Sequence, residues 1–284
     1  MNVADSFAYA DFLKQDVSRM YRDLIPHVTI TLVEAGPALL GPFDTALQNY
    51  AYGLFKNRDI DVRLGTAVTG VEDFLGDGYR YPARRAVLTD GTYLEFGTMV
   101  WSAGLAPVKF TAQLDMPRHA RNGRILVDQY LRVLGHEGSI WAIGDAANAV
   151  DETGVPLPQL AQVARQQGIY LGQIFNGEQK EDEKPFRFFS LGSMASLGEM
   201  KGVYDGSKVG EPGKEKKQPM MKGLLALLLW RFAYWGRQTS LVNKILIPMH
   251  WFKSMIFGRG KSRCLGNRVC RLPIVIPTFL TLTC

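Results

Sequence analysis

The strongest constraint on the fold is the stretch at residues 139–168, SIWAIGDAANAVDETGVPLPQLAQVARQQG. Ile140 to Ile143 reads as a short apolar strand closed by Gly144-Asp145. A polar loop follows, and from Gln159 the pattern Leu160, Val163, Ala164 with Gly168 behind it opens a helix. Pro156 and Pro158 hold the approach to that helix extended. Gly144 lets the backbone come close to a bound molecule, and Asp145 stands where a carboxylate accepts hydrogen bonds from ligand hydroxyls. The free N–H groups of the helix start suit an electron-rich ring. Strand, glycine, acid, loop and helix also occur in any α/β domain, so the stretch by itself fits both an ordinary turn and a site for a sugar-like ligand.

Upstream, residues 4–20 put Phe7, Phe12, Leu13, Val17 and Met20 near one helical face. The β-branched run VTITLV at residues 28–33 reads as a buried strand, closed by Glu34-Ala35-Gly36. An acid at the end of the second strand of a dinucleotide-binding unit takes adenosine ribose hydroxyls, which makes Glu34 a candidate for NADH, with a plain strand-end carboxylate as the alternative. The phosphate-cradling turn that should precede it is missing: the first glycine is Gly36, and neither GxGxxG nor GxxxxGK[ST] occurs anywhere. A second helix is expected over residues 43–55 and strands at 60–64 and 67–74. A hairpin is expected around Asp90-Gly91 and a return strand at 98–102. Short strands at 125–128, 131–134 and 139–143 complete the reading before the helix.

A chain of 284 residues with 46% hydrophobic content has room for two modest domains and a sizeable core. Its net charge of +6 belongs to one end: residues 201–284 carry 15 Lys and Arg against 3 Asp and Glu, whereas the first 200 carry 18 against 24. Residues 203–219, rich in Gly, Pro and Lys, read as a mobile loop. Beyond it the apolar run from Gly223 to Trp230 is 8 residues, far below the ~20 of a transmembrane helix. As a helix it gathers Leu224, Leu225, Leu228, Phe232 and Trp235, with Lys222, Arg231 and Arg237 towards its edges; residues 245–257 repeat the mixture. Aromatic residues with snorkelling cations suit a helix lying in an anionic headgroup layer rather than on nucleic acid. A helical pair packed on its own domain, or a homodimer seam, is the alternative. Cys264, Cys270 and Cys284 have neither CxxC spacing nor histidine partners, so no metal site is read.

The AIGDAA segment followed by PLPQLAQVARQQG resembles the second flavin-contacting segment of the type II, or alternative, NADH:quinone oxidoreductases. Trp101-Ser102-Ala103-Gly104 resembles the turn lying over the nicotinamide in that family. FRFFSLGSMASL at residues 186–197 and WFKSMIFGR at 251–259 resemble its C-terminal segments. The resemblance implies a partial two-Rossmann-domain α/β flavoprotein, binding FAD and NADH, with an amphipathic helical region for membrane docking. It divides the chain into a partial NADH-binding domain (1–105), a partial FAD-binding domain (106–178), the docking region (179–259, with membrane contact through 220–259) and a divergent tail (260–284). Gly144, Asp145 and Ala161 would contact FAD, Glu34 and Gly104 NADH, and Gln162 and Arg165 the quinone. Where relatives can have a histidine this chain has Arg165, so no side chain is assigned a catalytic proton. The implied location is the face of the mitochondrial inner membrane, with a chloroplast membrane as alternative. The missing phosphate turns lead to the expectation of an N-terminally truncated member, for which a non-catalytic membrane-surface role is the rival reading.

Overall fold

The computed structural model describes residues 3–257 except 16, 20, 24, 75–82, 137 and 181. The expected tail at 260–284, with all three cysteines, lies outside the described residues, as do Asp16, Met20, Gly258 and Arg259.

Helix α1 (Val3–Gln15) lays Phe7 and Ala10 into the first core, with the Phe7 ring stacked on Phe55 at 4.0 Å. Its buried face is not the expected one: Phe12 is 42% exposed, and Asp11 is buried instead. Strand β1 (Ile30–Glu34) begins later than the β-branched run because its parallel partner β2 (Ile60–Leu64) matches it only from Ile30↔Ile60. Only Leu32 of β1 is fully buried, so the run is not a strand buried on both faces. Helix α2 (Thr45–Lys56) links the two strands. It is capped by the Asp44 side chain, which accepts the Ala46 N–H, and it presents Leu47, Ala51, Leu54 and Phe55 to the core.

Strands β3 (Val68–Phe74), β4 (Ala83–Leu88) and β5 (Tyr93–Phe96) form an antiparallel meander, and the expected turn at Asp90-Gly91 joins β4 to β5. The expected return strand at 98–102 is absent: residues 97–108 are irregular and exposed. Only the short α3 (Lys109–Gln113) intervenes before the second core. There β6 (Ile125–Leu126) pairs in parallel with β7 (Ala147–Asn148). The strands read at 131–134 and 139–143 reduce to the isolated bridges Val127↔Val133 and Arg132↔Trp141. A tight turn held by Asp128, whose carboxylate accepts the Tyr130 and Arg132 N–H groups, leaves too little straight chain for a ladder. Helix α4 (Ala161–Phe175) closes this core with Val163, Tyr170, Leu171 and Ile174.

The remaining chain forms the antiparallel sheet β8 (Ser190–Ser196), β9 (Gly202–Gly210) and β10 (Met221–Gly223), followed by α5 (Leu224–Gly236) and α6 (Leu241–Phe257). Gly192 is a bulge within β8 rather than a turn, and the hairpin turns at Gly198. The expectation of a mobile loop at 203–219 is wrong, since β9 is the central strand of this sheet with Val203 and Asp205 buried. Its glycine reflects close packing: a Cβ on Gly202 would lie 2.9 Å from the Leu227 nitrogen of α5. Leu197 and Val203 enter the first core, so the C-terminal sheet packs on the N-terminal unit.

Candidate functional site

Gly144 opens a 3₁₀ turn over Gly144–Ala146 with φ of +67°, a backbone that side chains with a Cβ rarely adopt. Its N–H donates to Gln167 Oε1 at 2.6 Å, and the Asp145 carbonyl accepts from Gln159 Nε2 at 3.1 Å. The turn is thereby held at both its residues while the Asp145 side chain is left exposed, accepting no hydrogen bond among the described residues. Helix α4 begins directly beside it. Ala164 would touch a Cβ on Gly144 at 3.4 Å, and the N-cap Leu160 supplies no side-chain cap, so the first N–H groups of α4 have no side-chain partner.

Three glutamines of α4 fasten the site in three directions. Gln162 is buried, its Oε1 accepting the Leu191 N–H at 3.1 Å and its Nε2 donating to the Gly192 carbonyl at 3.4 Å. Gln166, one turn on, grips Phe189 through both its N–H (2.9 Å) and its carbonyl (2.8 Å). Together they dock α4 on β8 and its entry, as a neighbouring strand would, by amide pairing. Gln167 lies between Val163 and Leu171 on the buried stripe, 1% exposed, and its Nε2 has no hydrogen-bond partner among the described residues. Arg124, next to β6, is 6% exposed. Its Nη1 donates to the Leu157 carbonyl at 3.1 Å, and its Nε is likewise without a partner. Burial pushes the Arg124 guanidinium below its ordinary pKa, and the nearby charge of Asp145 opposes that shift.

Neither Gln166, Gln167 nor Arg124 emerged from the sequence reading. The legible signal was Gln167: a polar side chain four residues from Val163 and four from Leu171 sits where the helical period calls for an apolar one.

The other anticipated residues are dispersed. Ala161 and Arg165 are exposed on the first turns of α4, and Arg165 has neither hydrogen bond nor ion pair among the described residues. Glu34 ends β1, with its Oε1 accepting the Gly36 N–H at 2.8 Å. Gly104 lies in the exposed segment after the meander with φ of +84° and open space around it, next to Trp101, whose indole donates to the Ala103 carbonyl.

An exposed carboxylate, an uncapped helix start and two buried donors seeking oxygen suit a ligand rich in hydroxyl, carbonyl or phosphate oxygens, such as FAD. No group of side chains that would hold a metal ion occurs among the described residues.

Helices α5 and α6 bury little. Ala226 and Leu227 face the sheet, whereas Leu225, Phe232, Leu241, Ile245, Met249 and Phe252 are each at least 60% exposed. Residues 220–257 carry five Lys or Arg and no acid. Arg231 stacks on Trp251 at 5.1 Å, and Lys222 covers Tyr50 at 5.3 Å. No helix among the described residues is long and apolar enough to cross a membrane.

A family model described as pyridine nucleotide-disulphide oxidoreductase matches residues 14–168, and one described as the NDH2 C-terminal domain matches 190–260. The mitochondrial internal alternative NAD(P)H-ubiquinone oxidoreductase A1 of Arabidopsis thaliana is 32% identical over 267 residues, covering 89% of this chain and 49% of that protein. The mitochondrial external NADH-ubiquinone oxidoreductase 2 of Saccharomyces cerevisiae is 30% identical over 285 residues, covering 89% and 49%. The chain thus spans about half the length of the curated relatives it matches. A solved structure of NDH2 from Plasmodium falciparum in complex with NADH shares the fold, with a TM-score of 0.76 at 19% identity over 92% of this chain and 65% of that one.

Proposed function

We propose, from the premise that the chain belongs to the pyridine nucleotide-disulphide oxidoreductase family and within it to the type II NADH dehydrogenases, that it serves a flavin-dependent, non-proton-pumping NADH:quinone oxidoreductase. Bound FAD supplies the hydride- and electron-transfer chemistry; the protein's part is to bind, orient and exclude water. Asp145 accepts hydrogen bonds from ribityl hydroxyls, Gly144 permits the close backbone approach, and Ala161 borders the ring with the free N–H groups of α4. Glu34 takes the ribose hydroxyls of NADH, and Gly104 admits its nicotinamide. Gln162, through its clasp on Leu191 and Gly192, fixes the wall beside the quinone head, towards which the unpaired Arg165 donates.

In this reading residues 1–105 belong to the NADH-binding domain, 106–178 to the FAD-binding domain and 179–259 to a region lying on an anionic membrane. The apolar face of α5 and α6, framed by cations, supports that docking, and a homodimer seam is the competing use of the same face. Relatives named as mitochondrial support a mitochondrial location, on the inner membrane surface.

The observation that carries the proposal is the Gly144-Asp145 turn, held by α4 with its carboxylate free. Asp145→Leu in the full-length protein is expected to weaken FAD binding at least tenfold, about 1.4 kcal/mol or more, and to lower oxidation of NADH by a short-chain quinone in step. Wild-type protein that is colourless after FAD reconstitution and inert towards NADH and quinone sinks the reading.

A further inference from the structure

The search for what the proposed chemistry leaves unused ends at the Gln167 side chain. It is 1% exposed, in an apolar stripe where Leu or Met would pack equally well, and only half of its hydrogen-bonding capacity is met. Its oxygen accepts the Gly144 N–H at 2.6 Å; its Nε2, with two protons to donate, has no acceptor among residues 3–257 that are described. A buried unpaired donor costs roughly 1–3 kcal/mol, which selects against an amide at such a place unless an acceptor arrives. The acceptor has to lie near the turn, because the amide is anchored to Gly144, the residue before Asp145. The second buried orphan, Arg124 Nε, belongs to the guanidinium whose charge Asp145 senses, so two unmet donors serve one turn.

We propose that Gln167 is a positioning residue of the flavin site: its Oε1 fixes the Gly144 turn that presents Asp145, and its Nε2 donates to an oxygen of the bound FAD. The inference rests on the FAD reading given above and adds a residue to it. It makes the site sensitive to which end of one amide is kept.

Gln167→Glu separates the two ends. The carboxylate still accepts the Gly144 N–H, but its second oxygen repels an acceptor where the amide donated. Burial raises the carboxyl pKa above the ordinary Glu value, so acid restores a neutral group with an O–H donor. FAD affinity is measured on flavin-free full-length protein by fluorescence quenching from pH 7.5 to 5.5, for wild type and variant. The expected ratio of dissociation constants is at least tenfold at pH 7.5, falling towards one at pH 5.5. A ratio near one at pH 7.5, or a loss that acid does not restore, overturns the inference.

Wild-type protein that binds no FAD at all instead defeats the underlying reading. Melting of the flavin-free proteins reports folding. Where the variant does not fold, the Gln167 side-chain amide is followed by NMR in the wild type. A downfield shift of its Nε2 protons on adding FAD is expected, and an unmoved signal overturns the proposal.

Discussion

Single side chains in this molecule act mainly by ending the unpaired state of a backbone group. Tyr170 shows the type: it lies on the buried stripe of α4, and its hydroxyl donates to the Lys184 carbonyl at 2.8 Å, tying the helix to the chain that leads into β8. Burial pushes its pKa from 10.0 up to about 12. Because the folded-state value lies above the unfolded one, the stabilisation is complete below pH 10 and is lost as pH rises from 10 towards 12. Tyr170→Phe is expected to lower stability by about 1 kcal/mol at neutral pH and to flatten the alkaline fall. Urea unfolding at a series of pH values checks both, and an unchanged alkaline slope contradicts the assignment. Asp151 works in the opposite direction. The Thr153 hydroxyl, then the Val155, Thr153 and Gly154 N–H groups, hold its carboxyl below the usual range, so its loop loses support only as pH falls below about 4.

At the scale of elements, composition misleads wherever glycine and lysine are read as mobility. Strand β9 holds Gly202, Gly206 and Lys208, yet it is paired on both sides, because its valines and Asp205 are buried while its glycines admit neighbours. Asp205 also reaches outside the sheet: its carboxylate accepts the Asp44 N–H at 2.7 Å at the start of α2 and the Ser207 N–H at 2.8 Å. The α5–α6 pair was more legible. The face predicted for Leu224, Leu225, Leu228, Phe232 and Trp235 is the one left exposed, since Ala226 and Leu227 turn to the sheet. If that face enters a headgroup layer, Leu225→Glu with Phe232→Glu removes two apolar insertions of roughly 1.5–3 kcal/mol each. Sedimentation with anionic liposomes is expected to fall at least tenfold, and wild-type binding is expected to weaken with salt. Unaltered liposome binding, with loss of a dimer by light scattering, assigns the face to self-association.

Across the whole molecule, the decisive contact joins the two ends of the described chain. Arg58, buried after α2, stacks over Phe7 at 4.6 Å and donates to the Leu197 carbonyl at 3.3 Å. It also pairs with Asp11 at 3.6 Å and Glu199 at 3.0 Å. The Glu199 N–H in turn donates to Asp11. Arg58→Met leaves the buried Asp11 without its cation, and a loss of roughly 3–5 kcal/mol is expected. Denaturant titration measures it; Arg58→Met combined with Asp11→Leu should recover part of the loss, and a loss below 1 kcal/mol for the single change removes the clasp from the account. This clasp was invisible in the sequence, for Asp11 and Arg58 are separated by 47 positions and both read as ordinary surface charges.

What the sequence determined alone is local or periodic. The Asp90-Gly91 turn, the amphipathic α2, the strand at 60–64, the helix after Leu160 and the turn at Gly144-Asp145 are all encoded within a few residues, where backbone sterics and a repeat of 3.6 or 2 decide the outcome. Tertiary structure decided what depends on partners distant in the chain. It determined whether the run at 98–102 finds a ladder, whether β9 is covered on both sides, and which way the three glutamines of α4 point. An amide's role is set by the group that completes its hydrogen bonds, and that group is brought beside it only when the chain folds.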